Sequence, residues 1–494
     1  QKNSTHQQVP DESIEMGKQL SATYCQSCHL LPDPSFLDAK TWEKGVLPWM
    51  GPMLGIFHYG MHTYPSEKYD MNLGENFYPS QPVLTDVQWK SIIDYYTALA
   101  PDTLLAGKND VPITMGLPMF EAKMPSFKDS IPHSCMVVID TVMVPGTILI
   151  GDAIKQNITR VSSKMQTIDS IRSSGPVVYI DFSKDGTLEC NIGIIIPNNG
   201  KHGTINSLQI NAGKKMGYDP VPLFDSLARP VQIITADLNK DEREDYLLCE
   251  YGNLKGELSW MENMANKKFE RHVLRAVPGA IKAYIEDYNN DGLPDIYALF
   301  AQGDESILLF TNKGNGKFDE KKLLRFPPVY GSSYFELADF NKDGFPDIVY
   351  TCGDNADHSS VFKPYHGVYI FINDGNNNFA QKYFFHINGC FKAMARDFDN
   401  DGDLDIAAIA FFADYKNRPE EGFVYLENNG ELKFKAFSLP ETKIGRWLTM
   451  DVGDLDGDGK IDIVLGNFSA PAMVKSSVDF KSGPPFLLLK NIGH

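Results

Sequence analysis

The chain has no stretch approaching the roughly 18 consecutive apolar residues that a membrane-spanning helix needs. Positive charge is also short. With 46 Lys and Arg against 64 Asp and Glu, the formal net charge is −18, which argues against nucleic acid or an anionic lipid surface as a partner. No glycine-rich dinucleotide loop follows a strand-like segment, so nothing in the sequence supports a flavin or nicotinamide site. Cysteine is sparse, at seven in 494 residues. Five of these (Cys135, Cys190, Cys249, Cys352, Cys390) are scattered, read as buried small hydrophobes, and leave room for at most one or two disulfides, one being expected. The chain is not short of core-forming residues. A hydrophobic content of 43%, with 12% aromatics, excludes global disorder, and the length implies two or more units.

The remaining two cysteines are paired. Cys25-Gln-Ser-Cys28-His29 has the spacing at which two thiols form thioethers to a porphyrin while the adjacent imidazole lies beneath the iron. A zinc site is the competing reading, but no second Cys/His pair lies nearby to complete four ligands. Haem attachment of this type implies redox chemistry and a compartment outside the cytoplasm. The polar opening Gln1-Lys-Asn-Ser-Thr reads as the start of a processed, exported form.

Helical spacing of Ile14, Gly17, Leu20 and Tyr24 predicts a helix from Ser13 to Tyr24 running into the motif. A second is expected from Thr85 to Ala98, carrying Trp89, Ile92, Ile93, Tyr95 and Tyr96 and stopping before Pro101. The order Gly17, Leu20, Tyr24, Cys25, together with the late helix, resembles class I cytochromes c, in which those two helices cross. The resemblance spans about 90 residues and defines an expected monohaem, all-α domain over residues 1–105. Candidates for the sixth iron ligand are Met50, Met53, His58, Met61, His62 and Met71. The stretch Trp42-Glu-Lys-Gly-Val-Leu-Pro-Trp-Met50-Gly-Pro-Met53 resembles a cytochrome subgroup whose methionine ligand lies on a helix after the tryptophan, which favours Met50. Many members use the loop before the last helix instead, which points to Met61 or Met71. An open or histidine-ligated iron is a further alternative.

Residues 106–494 carry a different signature. Five loops share one pattern: Asp237-Leu-Asn239-Lys-Asp241-Glu-Arg-Glu-Asp245, Asp287-Tyr-Asn289-Asn-Asp291-Gly-Leu-Pro-Asp295, Asp339-Phe-Asn341-Lys-Asp343-Gly-Phe-Pro-Asp347, Asp397-Phe-Asp399-Asn-Asp401-Gly-Asp-Leu-Asp405 and Asp454-Leu-Asp456-Gly-Asp458-Gly-Lys-Ile-Asp462. Oxygen side chains at positions one, three, five and nine, with glycine usually at six, suit a tightly wrapped Ca²⁺ ion. These are not EF-hands, because the twelfth position holds Leu248, Ala298, Tyr350, Ala408 and Leu465 rather than glutamate. The first repeat departs from the pattern, with Glu242 at the glycine position. Every repeat continues into an apolar strand and then into a strand ending in asparagine (Asn263, Asn312, Asn373, Asn428, Asn491). In all but the last, a phenylalanine follows.

Repetition every 50 to 58 residues predicts one four-stranded propeller blade per repeat. The pattern resembles the FG-GAP/VCBS repeat family of extracellular calcium-binding propellers. Upstream, Met136-Val-Val-Ile-Asp140, Ile148-Leu-Ile-Gly-Asp152 and Val178-Tyr-Ile-Asp181 leading to Asp185-Gly read as two degenerate blades, giving seven. The expected architecture is a small all-α cytochrome c domain followed by an all-β seven-bladed β-propeller, with one covalent haem c and about five Ca²⁺.

The function these features suggest is extracytoplasmic electron transfer, in the periplasm or on the outer membrane or cell surface of a bacterium. The propeller would dock a redox protein or membrane complex, or bind a protein or glycan. Long inter-strand segments such as 353–365 are candidates to supply the docking face. Two other readings stay open. One is a surface complex subunit whose haem is secondary, the other a haem-coupled oxidoreductase with its site in the propeller. For the latter, His366, His386, Arg396 and Arg446 are candidates to meet in a pocket, against a plainer reading as strand-edge or surface residues. No catalytic residue is assigned.

Overall fold

A computed structural model describes residues 9–126, 131–183, 186–266, 268–356, 358–469, 480 and 482–493. Asp185, which the sequence places in the second degenerate blade, lies outside them.

The first helix, Asp11–Tyr24, carries Asp11 and Glu12 in its first turn, where carboxylates favour the positive end of the helix dipole. The last helix, Asp86–Leu99, starts at a reciprocal capping box between Thr85 and Gln88. The two helices pack across each other at Gly17. A Cβ there would sit 1.9 Å from the Ser91 carbonyl oxygen, so only glycine permits this approach. Between them a helical turn (Ala39–Thr41) and a π-turn (Trp42–Val46) lead into the helix Leu47–Met53. Trp42, Trp89, Ile92 and Tyr96 are buried at the centre of this unit.

From Ser134 onward the chain builds seven sheets in succession. Blade 1 begins at Ser134–Asp140, blade 2 at Val177–Ser183, blade 3 at Pro230–Ala236 and blade 4 at Ala280–Glu286. Blade 5 begins at Ser332–Ala338, blade 6 at Cys390–Arg396 and blade 7 at Trp447–Gly453. These first strands contact one another in order and return from blade 7 to blade 1, so the ring is closed and the molecule contains a seven-bladed β-propeller. Second strands such as Asp295–Phe300, Asp405–Ala410 and Asp462–Asn467 are buried along their whole length. Sandwiched between neighbouring blades on both faces, they need unbroken apolar runs rather than alternation. Outer strands such as Phe318–Arg325 are largely exposed.

Ring closure departs from the expectation of four consecutive strands per repeat. The outer strand of blade 7 is Phe120–Lys123, which precedes the whole propeller in sequence and pairs antiparallel with Phe486–Asn491. In blades 3 to 6 the asparagine ending the third strand pairs with a phenylalanine: Asn263 with Phe269, Asn312 with Phe318, Asn373 with Phe379, Asn428 with Phe434. In blade 7, Asn491 pairs with Phe120. The phenylalanine missing from the last repeat is therefore supplied from the other end of the ring. A further strand, Ile113–Met115, runs parallel to Phe434–Ser438 on blade 6.

Phe120 is buried between the rings of Phe398 and Tyr425, at 6.0 and 5.8 Å. Phe120→Ala is expected to cost about 3–5 kcal/mol in chemical denaturation, with the exposed Glu121→Ala as control. A loss under about 1 kcal/mol would mean that the closing strand adds little packing.

Candidate functional site

The haem-type motif lies where the sequence places it, at the C-terminal end of the first helix. Neither Cys25 nor Cys28 is in a disulfide; Cys25 is half-buried and Cys28 exposed. Burial pushes the Cys25 thiol up to about 11, a Ser21 hydrogen bond opposing the rise, so it is protonated at neutral pH. The His29 ring is 2.9 Å through Nδ1 from the Leu30 carbonyl. Donation by that N–H leaves the Nε2 lone pair as the ligating one. Burial holds the imidazole below its ordinary value, which keeps it neutral and able to ligate. Two free thiols and a neutral, oriented imidazole are donors that fit a covalently attached haem.

The thioether candidates separate by burial. Met61 and Met71 are 98% and 96% exposed, and Met53 is 38% exposed. Met50 packs against the helical core that contains Trp42 and Tyr96. His58 and His62 are exposed, on a short hairpin.

The helical unit is seated on the propeller. Val329, Tyr330, Val361 and Tyr365 pack into the helical core, and the Tyr365 hydroxyl donates to the Phe36 carbonyl at 3.0 Å. Trp49 stacks on His358 at 4.5 Å, and Gly45 lies against the His358 carbonyl. Within segment 353–365, one of the candidates for a docking face, His358, Val361 and Tyr365 are thus turned to the chain's own helices. Large aromatics there have more to gain from burial against a tethered neighbour than from exposure.

The five aspartate loops sit between the first and second strands of blades 3 to 7 and share one backbone. Position four (Lys240, Asn290, Lys342, Asn400, Gly457) and position six (Glu242, Gly292, Gly344, Gly402, Gly459) both have positive φ. The carboxylate at position one accepts the N–H of position six in every loop, and the side chain at position five accepts that of position seven. This brings positions one, three and five together. In the groups Asp397/Asp399/Asp401 and Asp454/Asp456/Asp458, one carboxylate oxygen from each residue lies within 4.8 Å of the others. Asp397 Oδ1 is buried with no hydrogen-bond partner among the described residues. Converging hard oxygens with an orphaned buried lone pair fit a Ca²⁺ ion. In the loops carrying Asn239, Asn289 and Asn341, an amide replaces the middle carboxylate.

Position nine is placed differently. Asp245, Asp295, Asp347, Asp405 and Asp462 are buried at the start of the second strand. One oxygen of each accepts the N–H of the asparagine ending the third strand, at 2.7–2.8 Å. In four loops the other oxygen accepts the N–H of position two. Burial pushes Asp245 and Asp462 up to about 6 and Asp405 to about 7, with neighbouring loop aspartates adding to it. These carboxylates tie loop to strand. Asn312 and Asn491 extend the tie between blades by donating to the carbonyls of Leu238 and Phe398.

The first loop carries a feature that the motif alone did not reveal. Arg243 forms an ion pair with Asp241 and donates to the Asn263 carbonyl at 2.6 Å, much as Lys490 pairs with Asp456 and Asp458 in the last loop. Glu242 adopts φ +69°, a conformation that favours glycine.

His366, His386, Arg396 and Arg446 do not share a pocket. His366, His386 and Arg446 are buried rather than at the surface as expected. Burial holds both imidazoles low, His386 at about 4, and His386 Nδ1 bonds the His366 carbonyl. Arg396 pairs with Glu336, and Arg446 stacks over Phe411 and donates to its carbonyl. No disulfide forms among the described residues, contrary to the expected one. Cys135 and Cys352 instead donate to the Val177 and Tyr365 carbonyls.

The model of the FG-GAP-like repeat matches residues 287–350 and 397–465. These are FG-GAP repeats. Cartilage acidic protein 1 of Mus musculus is 31% identical over 170 residues, 32% of this chain and 24% of that protein. Its counterpart from Xenopus tropicalis is 29% identical over 208 residues, 39% of this chain and 30% of that protein. The matched part thus spans under a third of those relatives. Among solved structures, Saccharomyces cerevisiae Sqt1 is similar at a TM-score of 0.44 and 8% identity, covering 77% of this chain and 100% of Sqt1. The Cps50 (Swd1) β-propeller domain of Myceliophteria thermophila is similar at a TM-score of 0.43 and 10% identity, covering 75% of this chain and 100% of that domain.

Proposed function

We propose that this chain is an extracytoplasmic c-type cytochrome that transfers electrons, with its propeller as a calcium-braced scaffold that docks a protein partner. The observation that carries this reading is the Cys25/Cys28/His29 motif at the end of a helix that crosses the last helix at Gly17. Cys25 and Cys28 would hold the porphyrin covalently, and His29 and the Met50 thioether would ligate the iron. A bound haem with a thioether ligand supplies a one-electron carrier of raised potential. Trp42 and Tyr96, in the apolar core against which Met50 packs, would exclude water from such a group and so favour its less charged reduced form. The aromatic seat of Phe36 on Tyr330 and Tyr365 holds the helical unit against blades 4 and 5, so a partner docked elsewhere on the propeller would meet the redox centre at a fixed separation.

The test is a visible spectrum of the natively produced protein, oxidised and then reduced, before and after carbon monoxide. The expected result is a reduced c-type spectrum unmoved by carbon monoxide, and in Met50→Ala a spectrum that shifts with it. Absence of any haem absorbance would overturn the reading. A shift in the unmodified protein would remove Met50 as the ligand.

A further inference from the structure

The seven first strands line a central channel, and the repeat assigns its wall. Residues five positions before each loop's first aspartate are Gln232, Lys282, Tyr334, Lys392 and Thr449; those three before it are Ile234, Tyr284, Glu336, Met394 and Asp451. Lys282, Tyr284, Tyr334, Lys392 and Asp451, with Tyr179 of blade 2, lie on innermost strands and are neither fully buried nor open at the surface.

The charged groups in this wall have hydrogen-bond partners among the described residues, Lys282 excepted. Glu336 accepts the Ala395 N–H at 2.7 Å and pairs with Arg396. Asp451 accepts the Ile139 N–H at 2.8 Å, and Asp181 accepts the Thr235 hydroxyl at 3.0 Å. Lys392 donates to the Met450 carbonyl at 2.8 Å. Lys282 has neither a hydrogen-bond acceptor nor an ion-pair partner among the described residues. Its Nζ instead lies 4.8, 5.4 and 5.9 Å from the ring centroids of Tyr284, Tyr179 and Tyr334. Lys392 Nζ sits 4.8 Å from the Tyr334 ring, so a second ammonium approaches the same aromatic face.

We propose that Lys282 is a carbonyl-capturing amine, a site where a small aldehyde or ketone entering the propeller channel condenses on Nζ. An anion is the less suitable ligand, because the carboxylates Asp181, Glu336 and Asp451 already stand near this amine and Lys392. The tyrosine faces suit the apolar part of a neutral carbonyl compound. In the step, the Nζ lone pair forms a bond to the carbonyl carbon while the C=O π pair moves to oxygen and takes a proton. The resulting carbinolamine loses water, its oxygen leaving with protons drawn from nitrogen and solvent, to give an imine. One water is released and nothing is oxidised or reduced. The Tyr284 and Tyr334 hydroxyls, 3.1 Å apart, are the available donors to the carbonyl oxygen.

The environment favours the required neutral amine. Burial, and next the Lys392 ammonium, push Lys282 down to about 8, against the pull of Cys249, Glu336 and Asp451. An ordinary lysine near 10.4 has far less free amine at neutral pH.

The test is reductive alkylation of the full-length protein with propanal and cyanoborohydride across pH 6–10, read by peptide mass mapping. Lys282 is expected to label about ten-fold or more faster than exposed lysines at pH 7, with a midpoint near pH 8. In Lys392→Gln that midpoint should rise, and in Lys282→Met the fast-labelling peptide should vanish while the others are unchanged. A purely structural lysine, closed to the aldehyde, would label no faster than the surface lysines at any pH. Labelling of Lys282 no faster than the surface lysines, or a midpoint near 10, would overturn the proposal.

Discussion

Replacing Cys25 and Cys28 together with alanine is expected to abolish covalent haem, so that the denatured protein carries no haem stain and the native protein no visible absorbance. Each thiol is free, and the two are spaced to reach one porphyrin from a single helix end. Single replacements should leave one thioether and a weaker, altered spectrum. His29→Ala should keep attachment but lose the axial ligand that sets the potential. Met61→Ala and Met71→Ala should leave the spectrum unchanged, because both side chains stand in solvent. Since these residues belong to the helical unit, the double cysteine variant should keep the calcium dependence of the propeller. A haem-staining band that survives in the double variant would refute attachment through this motif.

Calcium removal is the second large effect. A ligand held at a hundred times its dissociation constant stabilises by about 2.7 kcal/mol per site, and four such sites give ~11 kcal/mol. Unfolding entropy of ~2.1 cal/mol/K per residue, over the roughly 380 residues from Ile113 to Asn491, makes ~0.8 kcal/mol/K. Chelation is therefore expected to lower Tm by about 10–15 °C, restored by Ca²⁺. The count is four rather than five because the first loop has Glu242, at φ +69°, where the others have glycine. Accordingly Asp397→Ala should cost one site, ~3 °C, and Asp237→Ala much less. An unchanged Tm in chelator, followed calorimetrically, would show that the loops stand without metal. Equal losses for Asp237→Ala and Asp397→Ala would refute the distinction between the first loop and the rest.

The loops and the haem motif were legible because their geometry is local. Nine residues specify where positions one, three and five converge, and five specify two thiols and an imidazole. The first and last helices were legible for the same reason, through apolar spacing and the Thr85/Gln88 cap. Seven blades followed from counting repeats. Position nine was harder to read: the motif offers it as another oxygen, whereas its burial and its bonds to the third-strand asparagine come from a hairpin partner some 17 to 29 residues on.

By itself, then, the sequence determined the repeat, the strand order within a blade and the placing of chemically distinctive side chains, all set by interactions between near neighbours in the chain. Tertiary structure decided what depends on distant partners. Phe120 completes the last blade beside Asn491 because closing the ring buries a strand edge that would otherwise expose its backbone groups. Segment 353–365 became a seat for the helices because its aromatics bury against Phe36 and Trp49. Lys282 acquired its aromatic surroundings from Tyr179 and Tyr334, on two other blades. No local pattern encodes these meetings, since each exists only once seven separately built sheets have curved round far enough to touch.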